Sequence, residues 1–182
     1  MPHSSWGCQT IHGEIYYAPS VHRMTMAFWL MKSEPHVYPW EQLVEDGETH
    51  WDGVRNYQAR NIMRDDMKIG DLVLFYHSNC KPPHVAGIAR VCREAYPDFT
   101  ALDPESNYFD PKSSLENPRW MIVDIEPVKQ LYEIVALTDM RENAMLEGMP
   151  LLQRGQRLSV QPVSSDHFHT VCGMGGLDSS SL

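Results

Sequence analysis

The sequence predicts an α+β domain built on a curved or closed sheet. Apolar runs of strand length recur along the 182 residues, and they are interspersed with short helical patterns instead of following a βαβα succession. No linker divides residues 26–171, and no fixed internal period is present, so one domain is expected. The expected organisation is an N-terminal extension over residues 1–25, a single domain over 26–172, and a flexible Gly- and Ser-rich tail over 173–182.

The elements follow in order. The run AFWLM at residues 27–31 has the length and apolarity of a buried strand, and Pro35 stops it. Pro39 at a helix start, with Trp40, Leu43 and Val44 at helical spacing and Gly47 beyond them, predicts a brief amphipathic helix. Residues 51–61, WDGVRNYQARN, read as a turn entering a helix. Ala59, Ile62 and Met63 form a packing stripe there, while Tyr57, Arg60, Asn61 and Arg64 form a second stripe that can face a ligand. Residues 72–79, LVLFYHSN, suit a buried strand with a polar end at a rim.

After Pro82 and Pro83, residues 85–91 have strand character, and Gly87 marks a bulge or a close backbone approach. Residues 96–118, with Asp103-Pro104 and Asp110-Pro111, predict a long ordered loop of the kind that borders sites. Residues 120–128 resume strand alternation. Thr138 is placed to cap a helix through Leu146, residues 158–162 form a short strand, and Ser164 or Ser165 caps a last helix carrying Phe168 and Val171.

Composition excludes several functions. With 24 acidic against 15 basic side chains the formal charge is −9, which opposes broad capture of a nucleic-acid backbone and leaves room only for local recognition. A mean hydropathy of −0.40 leaves no membrane partner expected. The four cysteines, Cys8, Cys80, Cys92 and Cys172, lack a paired C-x-x-C spacing, and residues 1–25 lack a signal-peptide core. A cytoplasmic monomer is expected, or a nuclear one in a eukaryote, and not a secreted protein. Met24 and Met26 stand just before the first strand, so translation is expected to begin at one of them.

The motifs FWLMKSEP at 28–35, WDGVRNYQARN at 51–61, GDLVLFYHSN at 70–79, NPRW at 117–120 and RLSVQPV at 157–163 resemble, in this order, those of the EVE domain family. The resemblance covers nearly everything from Met26 to about Val171. It implies a PUA-like pseudo-barrel of mixed or mainly antiparallel strands with peripheral helices. It also implies a nucleic-acid-binding module that takes DNA or RNA carrying a modified base and holds one unpaired base in an aromatic-lined pocket. The first 25 residues and the GMGGLDSSSL tail lie outside the pattern.

Residue chemistry supplies the candidates. Trp51 offers a ring face for a base, and Trp29 is either a second cage wall or core. Ser33, Asn56, Ser78 and Asn79 can read a base edge, with Tyr57, Arg60 and His77 beside them. Lys32, Arg60, Arg64 and Arg154 can meet phosphates. Structural roles compete at several positions: Asn56 as a helix N-cap, Arg60 and Arg64 in surface ion pairs, residues 77–79 in a turn. Trp40 and Trp120 are assigned to packing.

No catalytic constellation, cofactor or metal is expected. His77, Cys80 and His84 lack a fourth ligand, Cys80 and Cys92 have no nucleophile signature, and the Gly173–Gly176 stretch lacks the Lys-Ser/Thr of a phosphate loop. The competing functions are an enzyme acting on a nucleotide or modified base, and a module whose aromatic cage takes a modified peptide side chain.

Overall fold

A computed structural model describes residues 26–182. Expectations for residues 1–25 lie outside the described residues. Six strands form one mixed sheet in the order β2-β5-β4-β3-β1-β6. They are β1 (Phe28–Ser33), β2 (Thr49–His50), β3 (Leu72–His77), β4 (His84–Pro97), β5 (Met121–Ala136) and β6 (Val160–Val163). Among the described residues only the β1–β3 pairing is parallel; β1–β6, β2–β5, β3–β4 and β4–β5 are antiparallel. Four helices lie around the sheet: α1 (Trp40–Asp46), α2 (Tyr57–Asn61), α3 (Leu137–Glu142) and α4 (Ser165–Met174). The α+β architecture with a mainly antiparallel mixed sheet and peripheral helices is the expected one.

Both faces of the sheet are covered. One core gathers Trp29, Met31, Val73, Phe75, Val123 and Ile125 with Trp40, Trp51, Ala59 and Met63. The other gathers Leu30, Leu72, Leu74, Val85, Leu131 and Val135 with Met140, Phe168 and Val171. This double cover explains β3, in which every residue is buried and apolar alternation is absent. Register shifts along β3–β4 and β4–β5 bend the long strands. At Gly87 the bulge coincides with the Trp40 ring, which lies where a Cβ would come within 2.5 Å, so both readings of that glycine hold.

Four local expectations change. The helix begun at Tyr57 continues beyond Asn61 as a π turn over Ile62–Asp66, closed by the Met67 N–H donating to the Ile62 carbonyl. β5 runs to Ala136, well past the predicted end, and its extension packs Leu131 and Val135 into the second core. Ala136, not Thr138, precedes α3, and Asn143 ends it and caps a 3-10 turn at Ala144–Leu146. The tail is the fourth. α4 extends to Met174, Leu177 packs into the second core, and the Gly175 carbonyl accepts from the N–H of Tyr132 and Glu133. The capping of α4 by Ser164 is as expected, its hydroxyl accepting from the His167 N–H at 3.2 Å.

Candidate nucleic-acid interface

The end of β1 separates two cavities that share Lys32. The first, about 670 Å³, is walled by Tyr38, Trp51 and Tyr108, with Ser33, Thr49, His50, Asp52 and Arg55 as polar groups and Val37 and Val54 as apolar ones. Trp51 enters at the end of β2, where its N–H donates to the Val123 carbonyl at 2.8 Å. Its ring meets Phe75 edge-on at 5.6 Å and is 8% exposed, so it is at once core and cavity wall. Tyr38 is fixed by its hydroxyl, which donates to Asp46 at 2.7 Å. Burial, with the Asp46 bond, pushes that phenol up to about 12, so it remains a donor at neutral pH.

Tyr108 comes from the long loop, and its ring lies across Gly53. A Cβ at Gly53 would stand 2.6 Å from that ring, and the residue has φ of +70°, so glycine is required on both counts. Arg55 fastens the loop. Its guanidinium donates to the Tyr108 carbonyl and, at 2.8 Å, to Asp98, and lies 5.4 Å from the Tyr108 ring centre and 5.2 Å from that of Trp120. Asp98 is itself 2% exposed and also accepts from the Thr100 N–H and hydroxyl. Asp52 stands at the cavity wall with its carboxyl raised above the ordinary range, chiefly by burial, with His50 opposing.

The second cavity, about 570 Å³, is lined by Lys32, Arg141, Arg154 and Arg157 together with Ser78, Asn79 and Gln156, and has no carboxylate in its lining. Lys32 is half-buried, which lowers its ammonium below the usual lysine range, and it donates to the Gln156 carbonyl at 3.4 Å.

The predicted site residues divide accordingly. Lys32, Ser33 and Trp51 line the aromatic cavity, and Lys32, Ser78, Asn79 and Arg154 line the basic one. Ser33 is partly committed, its hydroxyl donating to the Tyr38 carbonyl at 2.5 Å. Asn79 donates to Glu34 at 3.1 Å, and the Ser78 hydroxyl to the Ser33 carbonyl at 3.1 Å.

Trp29 lines neither cavity. Its ring is core and its Nε1–H donates at 2.8 Å to Asp71, a buried carboxylate that also accepts from the N–H of Ala27 and Lys68. Asn56 is the N-cap of α2, accepting from the Ala59 N–H at 3.1 Å. Tyr57 stacks on Trp120 at 5.0 Å, Arg60 donates to the Arg119 carbonyl at 2.6 Å, and Arg64 forks onto Asp65. The second stripe of this helix therefore braces the long loop and the surface, and Tyr57, Arg60 and Arg64 line neither cavity. His77 is buried at the start of α1, where its Nε2 accepts the Trp40 N–H at 3.2 Å, an unpaired donor of the first turn. Burial and His84 lower its pKa, consistent with a neutral acceptor.

Tyr38, Asp52, Arg55 and Tyr108 were not among the predicted site residues, nor were Arg141 and Arg157. The Asp52-Gly53 turn was a local signal, whereas nothing near Tyr108 in sequence announces its ring over Gly53, 55 positions earlier.

Comparison with known proteins finds relatives across the whole domain. Human thymocyte nuclear protein 1 is 38% identical over 170 residues, covering 80% of this chain and 72% of that protein. A Pseudomonas putida structure superimposes with a TM-score of 0.79 at 47% identity, covering 82% of this chain and 99% of that one. The structure of human THYN1 in complex with DNA containing 5-methylcytosine gives a TM-score of 0.75 at 36% identity, with 84% and 99% covered. The EVE domain model matches residues 27–174, which takes in every strand and helix described above, and the chain belongs to the EVE domain family.

Proposed function

We propose that this chain reads a modified base in nucleic acid, without turnover, by seating one unpaired base in the cavity walled by Tyr38, Trp51 and Tyr108. The cavity carries the reading: three aromatic side chains border a space whose lining also carries polar and charged groups. Extruding a base costs a few kcal/mol, and stacking on aromatic rings returns about 1–3 kcal/mol per base. DNA containing 5-methylcytosine is the first ligand to test, because a relative 36% identical has been crystallised with it. A cytosine in this cavity would offer its exocyclic amine to the Asp52 carboxylate and its 5-methyl to apolar wall groups such as Val37 or Val54. Burying that methyl is worth about 0.8 kcal/mol, or about fourfold in affinity.

Titration of the chain with short single-stranded and duplex oligonucleotides carrying 5-methylcytosine or cytosine tests the proposal through Trp fluorescence. The expected result is saturable binding with at least about a fourfold preference for the methylated base. Equal affinity for both would remove recognition of the methyl group from the proposal, and no binding to any of them would overturn it.

One observation favours a second reading. Glu34, Asp46 and Asp52 border the same aromatic cavity, a combination that also suits an organic cation such as a methylated lysine side chain. A methyl-lysine peptide that binds while every oligonucleotide fails would select it.

A further inference from the structure

We infer that the second cavity is a phosphate-binding site, formed by Lys32, Arg141, Arg154 and Arg157. Pairing of the other arginines supports the assignment. Among the described residues, Arg55, Arg64, Arg90, Arg93 and Arg119 each lie within 4.0 Å of a carboxylate, and Arg60 donates to a carbonyl. Arg141, Arg154 and Arg157 make no ion pair among the described residues, and all three line one cavity. In a chain of net charge −9, acidic side chains outnumber basic ones, yet none lines this cavity. Four like charges around one concavity repel one another, and a bound anion removes that cost.

The donor set names the anion. Planar guanidinium forks and an ammonium suit phosphate oxygens, and Ser78, Asn79 and Gln156 add neutral groups to the same lining. Placement gives its source. Lys32 belongs to both cavities, and one segment reaches from one to the other, with residues 153–157 lining the basic side and Ser159 the aromatic side. Ser159 is tied to this divide through its carbonyl, which accepts the Lys32 N–H at 2.8 Å. On this adjacency we place the base among Tyr38, Trp51 and Tyr108 and a flanking backbone phosphate in the basic cavity. This source rests on the base-reading proposal; the site itself does not. A free phosphoanion is the other source of the same chemistry.

The doubly substituted variant Arg154→Gln/Arg157→Gln tests the inference in the full chain, since both residues are exposed. Oligonucleotide affinity is measured across salt concentrations, and thermal stability is followed with added inorganic pyrophosphate. For the wild type, binding should weaken with salt. In the variant the slope of log K against log salt should fall by about 0.7–0.9 for each phosphate no longer neutralised, with methylated and plain oligonucleotides affected alike. Pyrophosphate should raise the melting temperature of the wild type and not of the variant.

If oligonucleotides fail to bind while the pyrophosphate effect is present and disappears in the variant, the base-reading proposal fails and the site stands with a free phosphoanion. An unchanged salt slope and affinity in the variant, together with no pyrophosphate effect on the wild type, would overturn the site.

Discussion

The two cavities on either side of Lys32 are built on opposite electrostatic principles. Around the aromatic cavity the polar anchors are paired: Tyr38 with Asp46, Arg55 with Asp98 and the Tyr108 carbonyl. Around the basic cavity Arg141, Arg154 and Arg157 are left without carboxylates among the described residues. Paired charges hold walls in place and contribute shape, whereas unpaired charges on a surface contribute attraction that reaches a Debye length of about 8 Å at physiological salt. Under the proposed reading, discrimination belongs to the first cavity and affinity to the second.

Breaking the paired side should have the largest effect. Arg55→Gln removes the cation from Asp98, which is 2% exposed, and detaches the loop that carries Tyr108. An unfolding free energy lower by about 3 kcal/mol is expected in denaturant titration, because a buried carboxylate loses its partner. The methyl preference should fall with it. A variant with wild-type stability and preference would show that the loop is held by other contacts.

Acid provides a smaller perturbation on the same side. His77 holds the first N–H of α1, and its folded-state pKa lies below 6.5, from burial first and His84 second. The unfolded chain therefore takes up this proton at a higher pH than the folded one. Stability from this group is complete above pH 6.5 and is lost as pH falls below that value. His77→Gln should flatten that part of the stability profile, and an unchanged slope in the variant would assign the acid sensitivity elsewhere. The smallest stability effect belongs to the unpaired side: Arg154→Gln/Arg157→Gln should change unfolding free energy by no more than about 0.5 kcal/mol while altering salt-dependent binding.

Elements with local patterns were legible in the sequence. β1, β3 and α1 follow from apolar runs, Pro39 and Gly47, and α4 from Ser164 with Phe168 and Val171. The wall of the candidate site was legible where chain neighbours build it, as in Trp51 beside the Asp52-Gly53 turn. It was not legible where distant residues converge. Arg55 and Tyr108 are 53 positions apart, and Trp29 and Asp71 are 42 apart, so neither the loop clamp nor the indole's buried partner has a local signature. Periodicity correctly marked the polar stripe with Tyr57, Arg60 and Arg64, but it could not distinguish a ligand from the Trp120 ring, the Arg119 carbonyl and Asp65. The packing of the tail was not legible for the same reason: Gly and Ser dominate its local sequence, while one apolar residue, Leu177, packs on a core formed elsewhere.

The most direct measurement is a crystal structure of the chain with a short oligonucleotide carrying one 5-methylcytosine. The account predicts that base unstacked from its neighbours and enclosed by Tyr38, Trp51 and Tyr108, with a backbone phosphate against Arg154 or Arg157. A methylated base that stays stacked in the nucleic acid, or that is held away from Trp51, would contradict it.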